Sequence, residues 1–148
     1  MVMSLRNSHN FYAIMFTVTS FIYLITGTIL LLTGFVWDFP TSHRDPVFIL
    51  LFFGFAVMIV FGMSYILIPN LMNFKVRQTM IKIQYFIYNI GLIISFLSME
   101  LSLNNFKSYF ISTLLVLGLI LLIISITIHV WNISGVKHST IGSGRESP

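Results

Sequence analysis

Apolar residues gather in four long runs with almost no charge inside them, separated by short stretches rich in charge, proline and asparagine. The runs cover about 11–36, 46–69, 81–103 and 108–132. Roughly 20 apolar residues in a helix cross a hydrocarbon core about 30 Å thick, so each run is long enough to span. The pattern predicts an all-α fold: a four-transmembrane-helix bundle.

The polar breaks carry turn chemistry. Before the second run, Asp45 is placed to cap a helix whose first turn holds Pro46. That run closes near Pro69 and Asn70, and the third break holds Asn104, Asn105 and Lys107. Segment 74–82 is expected to lie along the membrane interface before the third helix enters. No break is long enough for a soluble domain, so 1–133 reads as one membrane domain. The tail, 134–148, has Gly, Ser, Thr and Pro without an apolar period and is expected to be disordered.

Small and polar residues inside the runs mark the expected seams. Helices in lipid associate through small residues and interhelical hydrogen bonds, because lipid tails are as apolar as leucine. In the first run Thr19-Ser20, Thr26-Gly27 and Thr33-Gly34 recur at a seven-residue step. The second offers Gly54, Met58 and Gly62 in steps of four. The third carries Gln84, Tyr88, Gly91, Ser95, Ser98 and Ser102, and the fourth Gly118, Ser125 and Asn132 with His129 on the same stripe. A seven-residue step keeps one face toward a neighbour in a left-handed bundle. Ser20, Gly27, Gly34, Gly54, Gly62, Gly91, Ser95, Ser98, Gly118 and Ser125 are therefore the expected helix-packing residues.

Composition agrees. Hydrophobic residues make up 57% of the 148 and charged residues 8%, where a soluble domain carries about 25% charge. The net charge of +4 does not indicate nucleic acid, because the basic residues flank the apolar runs singly or in small groups. Arg6 before the first run imitates a signal peptide, yet that run far exceeds an h-region of about 7–15 residues and no A-x-A-like site follows it. Six basic residues (Arg6, Lys75, Arg77, Lys82, Lys137, Arg145) fall on one side of the expected topology and two (Arg44, Lys107) on the other. The positive-inside rule then predicts both termini cytoplasmic in a multi-pass protein of the cell membrane.

Candidate chemistry is sparse. There is no cysteine, which removes disulfides, thiolate metal sites and cysteine nucleophiles. His9 and His129 fall at similar expected depth and form a candidate haem or copper pair, against the simpler reading of His129 as a hydrogen-bonding partner for a neighbouring helix. His43 lies about 30 Å away across the membrane and cannot join them. On that other side Asp38, His43, Asp45 and Glu100 form a candidate metal cluster, against a solvated acidic face. The eight methionines are scattered and read as apolar filler. A transport path would run along Gln84, Ser95, Ser98 and Glu100, although conduction usually recruits more ionisable groups than these runs hold. No catalytic triad, phosphate loop or H-E-x-x-H helix is present. Asn132-Ile133-Ser134 fits a glycosylation acceptor but falls on the expected inner side.

The stretch 54–69, GFAVMIVFGMSYILIP, has the form G-F-x-x-x-x-x-x-G-x-x-Y-x-x-x-P, and Gln84, Phe86, Asn89, Ile90, Gly91 and Leu92 follow in the next run. These residues resemble helices of the haem-copper oxidase subunit I-like grouping, which includes nitric-oxide-response haem proteins. The resemblance covers about 50 residues and implies a four-helix haem-protein scaffold. Ile66 stands where that family often has a haem-ligating histidine after the tyrosine, and Asn70 where an arginine commonly follows the proline; His43 matches a histidine near the start of the helix. A unit that kept the fold and lost the cofactor is what the resemblance implies. By size, span number and composition the chain also resembles the small helical subunits of archaeal copper-dependent ammonia monooxygenase.

The resulting expectation is a non-catalytic subunit, without a cofactor of its own, of a multi-subunit membrane complex, an oxidoreductase such as an ammonia monooxygenase or terminal oxidase. Its partners are the lipid bilayer and other membrane subunits. The rivals are a small haem or copper redox protein and an oligomeric transporter or channel.

Overall fold

A computed structural model describes residues 11–36, 44–72, 76–103 and 109–134. Four helices account for nearly all of them, and no strand occurs among the described residues. Helix α1 is Phe11–Val36. Helix α2 is continuous but composite: an α-helical start, Arg44–Ile49, a π-helical segment, Leu50–Val57, and a second α-helical part, Met58–Met72. Helix α3 is Gln78–Leu103 and α4 is Tyr109–Ser134. All four are long and apolar enough to cross a membrane, over Phe11–Phe35, Asp45–Leu71, Gln78–Ser102 and Tyr109–Ser134.

Three boundaries differ from the sequence expectation. Helix α2 runs through Pro69 to Met72; proline removes one backbone donor, and the helix continues past that loss. Asp45 lies inside the first turn, because the helix opens at Arg44. Residues 78–82 belong to α3 itself, so that part of segment 74–82 is not a separate interfacial stretch. Phe74 and Lys75, like the tail from Gly135 onward, lie outside the described residues.

The helices form two antiparallel hairpins. Along α1 and α2 the seam pairs Gly27 with Leu51, Tyr23 with Gly54 and Thr17 with Gly62, one number falling as the other rises. Along α3 and α4 Gly91 faces Leu121 and Ser95 faces Gly118 in the same sense. Backbones approach closely at that second seam. A Cβ on Gly118 would stand 2.9 Å from the Gly91 carbonyl oxygen and 2.9 Å from the Ser95 nitrogen, nearer than real Cβ atoms come. Only glycine lets these helices meet this way, as expected where van der Waals contact drives association.

The core lies between the hairpins. Phe16, Met58, Ile81, Tyr88 and Leu92 are fully buried there, with Phe61 and Tyr65 nearly so. Phe16 meets Phe61, Tyr65 and Tyr85 at ring separations of 5.9, 6.3 and 5.1 Å. Phe61 meets Tyr88 edge-on at 5.4 Å. Glycine and serine join the helices within α3/α4, whereas aromatic rings fill the wider gap between hairpins. All four outer faces are apolar, with Phe21, Phe52, Ile90 and Ile123 among their exposed side chains.

Candidate functional site

Polar side chains inside the spans meet in two places, between the hairpins and within the α3/α4 hairpin. On α2, Tyr65 sits about two turns before the helix end; on α3, Gln84 sits about two turns after the start. The antiparallel arrangement brings them to the same depth, and the Tyr65 hydroxyl donates to Gln84 Oε1. Ser125 of α4 donates its hydroxyl to the Gln84 carbonyl over 3.2 Å. Asn132, one turn past His129, donates to the Arg77 carbonyl at 3.5 Å. Buried polar groups cost free energy unless hydrogen-bonded, so the Tyr65–Gln84 bond specifies how the hairpins meet, while the Ser125 and Asn132 bonds fix α4 against α3.

His129 occupies the centre of that cluster and is only 8% exposed. Its Nε2 lies 3.1 Å from Ser64 Oγ. Ser64 uses its single hydroxyl proton on the Phe61 carbonyl, 2.9 Å away, so the imidazole donates from Nε2 and carries its lone pair on Nδ1. The ring lies on Phe61 at 4.3 Å and meets Tyr65 edge-on at 4.7 Å. Nδ1 of His129, Nε2 of Gln84 and Oγ of Ser95 have no hydrogen-bond partner among the described residues.

Further along the seam, Tyr23 of α1 donates to Asn89 Oδ1 at 2.8 Å, and Thr19 meets the Tyr85 hydroxyl at 2.8 Å. Tyr88 donates to the Phe53 carbonyl at 2.7 Å. Phe53 lies in the π-helical segment, and wider helical turns of this kind concentrate at places with a special packing or functional demand. Here the segment presents a main-chain acceptor to α3 and, at Gly54, room for the Tyr23 side chain.

Most of the expected packing residues are buried. Ser20, Ser95, Ser98 and Ser125 are buried, as are Gly27, Gly54, Gly62, Gly91 and Gly118; Gly34 is half-buried. Ser102, next to the end of α3, is exposed, and so is Thr26, which stands about 100° around the helix from the buried Gly27.

The candidate ligand sets fare differently. His9, Asp38 and His43 lie outside the described residues. His129 is hydrogen-bonded to Ser64 and packed on two aromatic rings through one side of its ring, and its suggested partner, His9, is not among the residues described. Asp45 is exposed and Glu100 half-buried, and among the described residues no three His, Asp or Glu side chains come together. Gln84, Ser95 and Ser98 of the candidate transport path are closed into the bundle. The sequence reading missed Tyr23, Ser64, Tyr85 and Asn89 as seam residues. For Tyr23, Tyr85 and Asn89 the signal was the recurrence of hydroxyl and amide side chains at steps of four (Tyr85 and Asn89; Thr19 and Tyr23), which a search for small residues passes over.

Among the described residues, four apolar helices of membrane-crossing length, joined by hydrogen bonds across a seam, are those of a multi-pass membrane protein. The chain matches no known family model, no curated protein and no solved structure.

Proposed function

We propose that the chain is a non-catalytic, four-span packing subunit of a larger membrane assembly, with both termini on the cytoplasmic side of the cell membrane. One observation carries this reading. The sole described imidazole within the spans, together with the phenols and amides around it, is engaged in joining one hairpin to the other. Such a core holds a rigid shape. The apolar outer faces then remain for lipid and for neighbouring helices. That the assembly is an oxidoreductase rests on the resemblance of 54–69 and the α3 residues to oxidase helices, and on nothing further.

The reading is tested by placing a photoactivated benzophenone side chain at Ile22, Phe48 or Ile123, all exposed, in the native membrane. A subunit gives discrete protein adducts from a restricted set of these positions. Lipid adducts alone from all three positions contradict it.

A further inference from the structure

Where α4 ends and α3 begins, the surface holds an almost wholly apolar groove lined by Met80, Thr127, Ile128, Trp131 and Asn132. Trp131 is 72% exposed at its edge. Arg77 stands at the groove's polar end: its carbonyl receives the Asn132 side chain, it is exposed, and it lies one turn before Met80. The described acidic residues, Asp45 and Glu100, lie at the start of α2 and toward the end of α3, across the full length of the bundle. Arg77 therefore faces no described carboxylate at its own end. An apolar slot beside α4, a tryptophan at its rim and an exposed arginine whose backbone borders the slot, with no described carboxylate at that end, fit an amphiphile with a hydrocarbon tail and a phosphate head.

We infer that this groove binds one anionic phospholipid, its acyl chain along Thr127, Ile128 and Trp131 and its phosphate on Arg77. The lipid is recognised by the pairing of groove and guanidinium rather than by the general positive charge of the surface. Lys82 separates the two ideas: it is also exposed on α3 but lies two positions past Met80, on the opposite side of the helix.

Trp131 is the reporter. The chain has two tryptophans, so full-length protein carrying Trp37→Phe is reconstituted in phosphatidylcholine bilayers. Phosphatidylglycerol or phosphatidylcholine with brominated acyl chains is then added as a minor component, and quenching of Trp131 is followed. The expected result is saturable quenching with about a fivefold preference for the anionic lipid, the factor one basic side chain contributes near an anionic membrane surface. Unbrominated phosphatidylglycerol reverses it and inorganic phosphate in the buffer does not. Arg77→Gln abolishes the preference, and Lys82→Gln leaves it in place. Equal quenching by both lipids overturns the assignment, and so does equal loss from Arg77→Gln and Lys82→Gln or displacement by inorganic phosphate. Should Arg77→Gln fail to insert, the comparison of the two lipids on the parent protein still decides.

Discussion

Tyr65 and Gln84 show how much one polar contact can contribute inside this bundle. In water, leaving a buried partner unsatisfied costs about 1–3 kcal/mol. In a membrane the unfolded helices also find partners, and interhelical bonds average about 0.6 kcal/mol with a maximum near 1.7. Both residues are buried and share one bond, so Tyr65→Phe and Gln84→Leu should each cost about 1 kcal/mol. The double variant should cost little more than either alone. Unfolding in mixed micelles measures all three, and additive losses would show that the pair does not interact. His129 is read by the same method. His129→Phe keeps the ring contacts with Phe61 and Tyr65 and gives up only the Ser64 bond. His129→Ala loses the ring as well and should be less stable by a further 2 kcal/mol or so; equal losses would assign the role of His129 to the hydrogen bond alone.

At the scale of the helix, the glycines differ in what surrounds them. At Gly118 an added methyl meets backbone of α3, Gly91 O and Ser95 N, both at 2.9 Å, and backbone cannot step aside without opening the seam. At Gly27 it meets the Leu51 side chain, with Cδ2 at 2.6 Å, which can change rotamer. Alanine also gains about 1 kcal/mol over glycine in a helix interior, while overpacking costs about 1–3 kcal/mol. Gly118→Ala should therefore destabilise the protein and Gly27→Ala should be close to neutral, as measured by the same unfolding titration. The reverse order would mean that α3 and α4 are not joined at Gly118.

These elements also show how far the sequence could be read. The four helices follow from apolar runs bounded by polar breaks, because hydrocarbon leaves a chain few ways to satisfy its backbone. The stripe of Gln84, Tyr88, Gly91, Ser95 and Ser98 is legible for the same reason: small and polar residues in an apolar run have one favourable side to face. The π-helical segment at Leu50–Val57 was not legible. The residues LLFFGFAV carry no local signature, and the widened turn answers to Tyr23, Tyr88 and the helices they come from. Nor could the sequence say which helices pair, since small-residue stripes look alike on all four.

For the molecule as a whole, the proposed topology puts both termini on one side of the membrane, and the basic residues propose which. The protein has no cysteine, so single cysteines can be introduced without background. Ser143→Cys should react with a membrane-impermeant maleimide only after the cytoplasmic face is opened. Ser42→Cys should react from outside in intact cells. The opposite pattern would invert the bundle and leave the core unchanged.

The central claim is that a bundle whose two hairpins are joined by hydrogen bonds and aromatic packing serves to hold other membrane subunits together. Its most direct test is to extract the full chain from its native membrane in mild detergent and to determine mass and composition of the intact particle by native mass spectrometry. The account predicts a particle in which this chain is present at fixed stoichiometry with other membrane subunits. A particle holding this chain by itself, as a lone monomer, would contradict it.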